Sequence, residues 1–185
     1  MILRMKYNKI VFSVLIFISS GLVMDLIHEI GHAMWGTVAG GTLTYMQVAF
    51  LQVYPRLAFT SHFRLGYCVV QELSTDFGYG IFLIGGSLTT HIAAWIITFI
   101  LINHQLEEKI HIFLKATGWF GVLDLPFYVI FPQIGLRHWI IIGGETAEPL
   151  IGAQKMGIPD PVFYIITILL TMVLLYFYYY RIKRS

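Results

Sequence analysis

The stretch from Ile10 to Val38, IVFSVLIFISSGLVMDLIHEIGHAMWGTV, decides how the chain is read. It exceeds the roughly 20 apolar residues that a helix needs to cross a bilayer core of about 30 Å, yet Asp25, His28, Glu29 and His32 interrupt it. An ionised side chain at mid-membrane costs about 2.5–3.5 kcal/mol on insertion scales, so such residues inside a span mark a functional site by default. One segment therefore predicts both a membrane helix and the place where chemistry is done.

The rest of the chain supports the membrane reading. Hydrophobic residues make up 57% and charged residues 12%, against norms of roughly 45–50% and about 25%. A net charge of +2 gives no footprint for nucleic acid, which requires a clustered basic face. The single cysteine, Cys68, can form neither an intramolecular disulfide nor a multi-thiolate site, so any metal must be held by His, Asp or Glu. Three further spans follow. Phe77 to Asn103 contains no Asp, Glu, Lys or Arg, and Pro161 to Tyr180 is uncharged ahead of Arg181, Lys183 and Arg184. His111 to Gln133 holds Lys115 near its start and Asp124 within it.

Between the first two spans, Gly40 to Asp76 changes character. Thr42 to Phe50 and Tyr67 to Val70 are rich in β-branched and aromatic residues, which predicts strands or a hairpin. Residues 134–160 are broken by Gly143, Gly144, Pro149, Gly152, Gly157 and Pro159 and read as an irregular loop. The expected fold is thus an all-α polytopic membrane protein, residues 1–185 forming one integral domain of about four transmembrane helices. A small β-hairpin or sheet is inserted between the first two. Arg4, Lys6 and Lys9 ahead of an apolar run also fit a secretory signal, but cleavage near Gly21 would strip the helix leading into the histidines, so a retained span is expected. Eight Lys and Arg fall on the side of the two termini and four on the other, which predicts cytoplasmic termini.

His28-Glu29-Ile30-Gly31-His32 is the most specific signal in the chain. Residues i and i+4 share one helix face, so the two imidazoles can reach one Zn²⁺ while Glu29 stands beside it to take a proton from water. With 7 His and 6 Glu in 185 positions, such a match arises by chance about 0.01 times. A hydrolytic zinc site wants a third protein ligand, and depth narrows the choice. At 1.5 Å per residue, His28 lies about 15 Å from one end of its span, Asp124 about 14 Å and His91 about 18 Å from the same face. Asp124 ranks first, as a lone carboxylate in an apolar run. His91 is an interhelical hydrogen-bonding residue, an oxyanion stabiliser or an alternative ligand. Asp25, one turn before Glu29, is a partner behind the ligands or a residue lining a water-filled pore. Glu145 and Glu148 read as solvated loop carboxylates, with a reserve ligand among them as the alternative, and His62, His104, His111 and His138 as water-facing.

These residues carry a resemblance to the site-2 protease group of intramembrane zinc metalloproteases. It rests on His28 to His32 in an early helix, on Leu123-Asp124 in a later one, and on Gly85-Gly86-Ser87-Leu88 between them, and covers about Ile10 to Gln133. The resemblance implies His28, His32 and Asp124 as zinc ligands, Glu29 as general base and membrane-associated strands. The chain departs from the family pattern in having Leu125 after the Asp, Ala116 and Trp119 where an Asn and a Pro stand, and Ser87 and Thr90 where a Pro and an Asn stand. Family members also open their site toward the cytosol, whereas the charge count places this one nearer the outer face.

The function expected is hydrolysis, with Zn²⁺ as cofactor, of a peptide bond in a membrane-protein substrate that enters in extended form, the Thr42 to Phe50 segment binding it by strand addition. The alternatives are hydrolysis of a lipid amide or ester at the same centre, and a metal transporter or metal-binding membrane protein.

Overall fold

The computed structural model describes residues 2–181. In chain order the elements are α1 (Ile2–Val38), β1 (Thr42–Tyr54), β2 (Ala58–Gln71), α2 (Asp76–Asn103), α3 (Glu108–Ile130), α4 (Glu148–Lys155) and α5 (Asp160–Tyr176). A 3-10 turn, Phe131–Ile134, extends α3, and a π turn, Phe177–Arg181, ends α5. Four helical segments are long and apolar enough to cross a membrane: Ile10–Val38, Asp76–Asn103, Glu108–Ile134 and Asp160–Tyr180. Lys183 and Arg184, which enter the charge count for topology, lie outside the described residues.

Sequence chemistry explains most boundaries. The Thr75 hydroxyl accepts from the Gly78 amide at 3.0 Å and caps α2, satisfying one of the donors that a helix start leaves free. The segment expected to be irregular contains α4, an eight-residue helix. Pro149 stands in its first turn, where the missing N–H costs nothing and the fixed φ already suits a helix.

Close approach of α1 and α2 sets the depth of the histidines. A Cβ on Gly31 would lie 2.5 Å from the Gly85 carbonyl oxygen, and one on Gly85 would lie 3.0 Å from that of Gly31. Only hydrogen at both positions allows backbone to meet backbone, the small-residue packing expected of helices that gain little from burying apolar surface against one another in lipid. Trp35 ties the crossing by donating from Nε1 to the Thr89 hydroxyl at 3.1 Å. A second core, built from Met24, Ala94, Leu101, Val122, Leu174 and Tyr178, joins α1, α2, α3 and α5. Large apolar side chains outside these cores, such as Phe17, Ile165 and Leu169, are exposed along α1 and α5.

The strands form a two-stranded antiparallel sheet running from the Thr42↔Gln71 pair to the Gln52↔Ala58 pair. Register passes from Val48↔Gly66 to Ala49↔Arg64, which leaves Leu65 as an extra residue on β2. Such a bulge re-aims neighbouring side chains and is typical beside functional sites. In the partner strand, Ala49 beside the bulge has φ 52, in the left-handed region that a non-glycine residue rarely adopts.

Candidate metal centre

Four elements converge on the histidines. His28 and His32 project from α1 one turn apart, and their Nε2 atoms stand 3.0 Å from each other. Behind them each ring is tied by Nδ1. His32 Nδ1 lies 2.7 Å from the Phe82 carbonyl oxygen, and His28 Nδ1 lies 3.1 Å from Asp124 Oδ2. A carbonyl and a carboxylate only accept, so in the neutral rings both Nδ1 atoms carry the proton and both Nε2 atoms present lone pairs. Two lone pairs at that separation with no proton between them repel, unless a cation sits against both. A Cβ at Gly86 would strike both Nε2 atoms, so glycine there keeps α2 clear of that edge of the two rings.

The third group on this edge is Glu148. Its Oε2 is 3.6 Å from His32 Nε2, and the ligand atoms of His28, His32 and Glu148 all lie within 4.8 Å of one another, a cluster that could hold a metal ion. The donor set suits one: two imidazole nitrogens and a carboxylate, with a further carboxylate alongside. With the two Nε2 atoms presenting lone pairs, Glu148 faces them as a further electron-pair donor and would bind a metal as the carboxylate. Helix α4 delivers it by packing on α2, where Gly152 and Gly80 meet so closely that a Cβ on either would fall within 2.7 Å of the other's carbonyl oxygen.

Asp124, which the sequence ranks first as a third ligand, is not one of the three clustered groups. The equal depths of Asp124 and His28 do bring the two side chains together, but on the Nδ1 side of the ring, where the Thr90 hydroxyl also reaches Asp124 Oδ2 at 2.8 Å. The same hydroxyl lies 3.0 Å from the Ser87 carbonyl, so its one proton is shared between the two. This is the arrangement by which carboxylates orient metal-binding histidines from behind. Depth along a helix axis cannot say which side of a ring a neighbour meets.

Glu29 is 5% exposed and lies under β2, for a Cβ on Gly66 would come within 2.9 Å of both Asp25 Oδ1 and the Glu29 Cδ atom. Asp25 is thus beside Glu29 rather than among the three clustered groups, and its Oδ2 is buried without a hydrogen-bond partner among the described residues. His91, 4% exposed, also lies outside the cluster, and both of its ring nitrogens lack partners among the described residues.

A cavity of about 740 Å³ opens on the cluster, walled by residues 63–68 of β2, by Tyr128 and by the loop from Arg137 to Gly144. In that loop His138 was expected to face water and is instead 2% exposed. Its ring stacks on Tyr128 with centroids 3.6 Å apart, and its Nε2 donates to the Thr146 carbonyl at 2.6 Å. Burial lowers its pKa, outweighing the opposing effects of that carbonyl and of Glu148, so the ring is neutral at pH 7. The sequence held Glu148 only as a reserve ligand in a solvated loop, and it read His138 as water-facing. A Glu immediately before a Pro is a helix-start signal that would have lifted Glu148 out of the loop; nothing in the sequence marks His138. No protein-family model matches the chain, and no curated protein or solved structure matches it.

Proposed function

We propose that the protein is a zinc-dependent peptidase working within the membrane, with His28, His32 and Glu148 as zinc ligands, Glu29 as general base and Asp124 as the residue that orients His28. The observation that carries this reading is the pair of Nε2 atoms 3.0 Å apart, each with its Nδ1 against an acceptor, with Glu148 on the same edge and the Glu29 carboxylate next along the helix. Two histidines and a carboxylate with an open position form the ligand set of hydrolytic zinc sites.

The chemistry that a bound zinc supplies is Lewis-acid polarisation of a carbonyl and a lowered pKa for water. The remaining work belongs to the chain. Asp124 and the Phe82 carbonyl fix the tautomers of the two histidines. Glu29 takes a proton from the attacking water on a carboxylate oxygen and returns it to the amide nitrogen as the C–N bond breaks, so water is added across the bond and the carboxylate is regenerated. Residues 63–68 of β2 border the cavity, and β1 is the only strand paired with β2 among the described residues. The other edge of β2 offers backbone donors and acceptors to a substrate in extended form, which moves the strand-addition role from the Thr42 to Phe50 segment to β2.

Metal analysis and a cleavage assay on the same preparations test the reading. Purified protein is expected to hold one zinc, and His28→Ala and Glu148→Ala to lose most of it. Glu29→Gln should keep zinc while turnover falls by roughly 10²–10⁴-fold, the usual range for loss of a general base. Unchanged zinc in both ligand variants, or wild-type turnover by Glu29→Gln, would overturn the assignment.

A further inference from the structure

A second cavity, of about 410 Å³, adjoins the metal centre and shares Phe63, Leu65 and Ile142 with its cavity. Its wall is apolar, with Phe17, Met24, Phe50, Phe120 and Trp139 among the contributors, and Asp25 and Asp124 are its only ionisable members. Strand β2 connects it to the chemistry. Thr60, His62 and Arg64 line a polar basin on one face of the hairpin, while the alternate residues Phe63 and Leu65 line the apolar cavity on the other. Without the bulge, Gly66 would follow Arg64 to the polar face. The extra residue instead puts Leu65 and Gly66 on the same face, Leu65 in the apolar cavity and Gly66 over Glu29. The cavity and the base are therefore served by consecutive residues, about 3.3 Å apart along the strand.

We propose that this cavity is a specificity pocket that takes one large apolar side chain, of the Leu, Met or Phe class, from an extended peptide substrate at a position next to the scissile bond. The proposal rests on the peptidase reading of the adjoining site. A strand paired to the free edge of β2 points alternate side chains to the same two faces as β2 itself, so a residue beside Leu65 turns into the apolar cavity while the backbone beside Gly66 lies over Glu29. The edge argues for a peptide over an acyl chain. Unpaired backbone N–H and C=O groups bind a strand, and hydrocarbon makes no use of them.

Two measurements on the full-length protein in detergent test the pocket. In the first, a mixture of peptides of random sequence is digested and the cut sites are read by mass spectrometry. Leu, Met and Phe are expected at one position beside the cut at 10-fold or greater preference over Asp and Ser, in the range that apolar pockets achieve. Ile142→Trp, which fills the cavity from the loop, should retain its zinc and shift the preference to Ala and Gly. In the second, Glu29→Gln is photo-crosslinked to an extended peptide carrying a photoreactive phenylalanine analogue. Crosslinks should map to Phe63, Leu65 or Trp139 and disappear in the Glu29→Gln/Ile142→Trp double variant. An unchanged preference in Ile142→Trp, crosslinks outside the cavity, or competition by a free fatty acid but not by a Leu-containing peptide would overturn the proposal. Correctly mapped crosslinks with no cleavage by zinc-loaded wild type would sink the peptidase reading and leave the pocket standing.

Discussion

At the scale of single residues, the pairing of Asp124 with His28 gives the carboxylate a measurable role. Asp124→Asn keeps size but presents an amide whose orientation no longer dictates a proton on His28 Nδ1. Zinc affinity in a chelator competition is expected to fall by about 10–100-fold, the usual effect of removing a partner behind a metal-binding histidine. A fall as complete as that of Glu148→Ala would instead make Asp124 a ligand. Cys68 offers a second test. Burial, reinforced by the charge of Glu29, raises its thiol to about 12. An ordinary thiol near 8.5 is about half thiolate at pH 8.5, whereas a raised pKa keeps Cys68 protonated there and until far more alkaline pH. Alkylation at pH 8.5 should therefore run on the order of 10³-fold slower than for a free thiol, because only the thiolate reacts. Reaction at the free-thiol rate would mean that β2 does not hold Cys68 buried near Glu29.

Between elements, the deciding contacts are backbone on backbone. Gly31 sits in the middle of the His28–His32 motif yet faces α2, where a Cβ would meet the Gly85 oxygen at 2.5 Å and the Thr89 side chain at 2.7 Å. Gly31→Ala is expected to cost about 1–3 kcal/mol, the range for overpacking a well-fitted contact, and to lower Tm, while Ile30→Ala on the exposed side of the same turn leaves Tm nearly unchanged. Equal effects of the two would show that the helices do not cross here. The hairpin is the element whose character was legible and whose use was not. Its β-branched and aromatic residues announced strands, but Leu65 reads as one more apolar residue until the register shows it to be supernumerary. A bulge is a property of two strands together, and one strand's composition does not contain it.

For the molecule as a whole, a metal held as proposed should act as a tie between distant parts of the chain, since the three clustered groups come from α1 and from α4, 116 residues apart between His32 and Glu148. A ligand that binds only the folded state stabilises it by about 2.7 kcal/mol at 100 times its Kd. Chelation should accordingly lower the melting temperature of wild type and leave Glu148→Ala, already poor in metal, nearly unmoved; equal shifts in both would place the metal elsewhere. The sequence by itself determined the four apolar helices, the strand-forming insertion and the pair of histidines with Glu29 beside them, because each depends on neighbours within one or two turns and on the cost of charge in an apolar run. Tertiary structure alone decided that Asp124 meets the Nδ1 edge of His28 and that Glu148 joins the Nε2 atoms of the two histidines. A carboxylate's role at a metal centre depends on which edge of an imidazole it meets, and that edge is set by how separate helices pack.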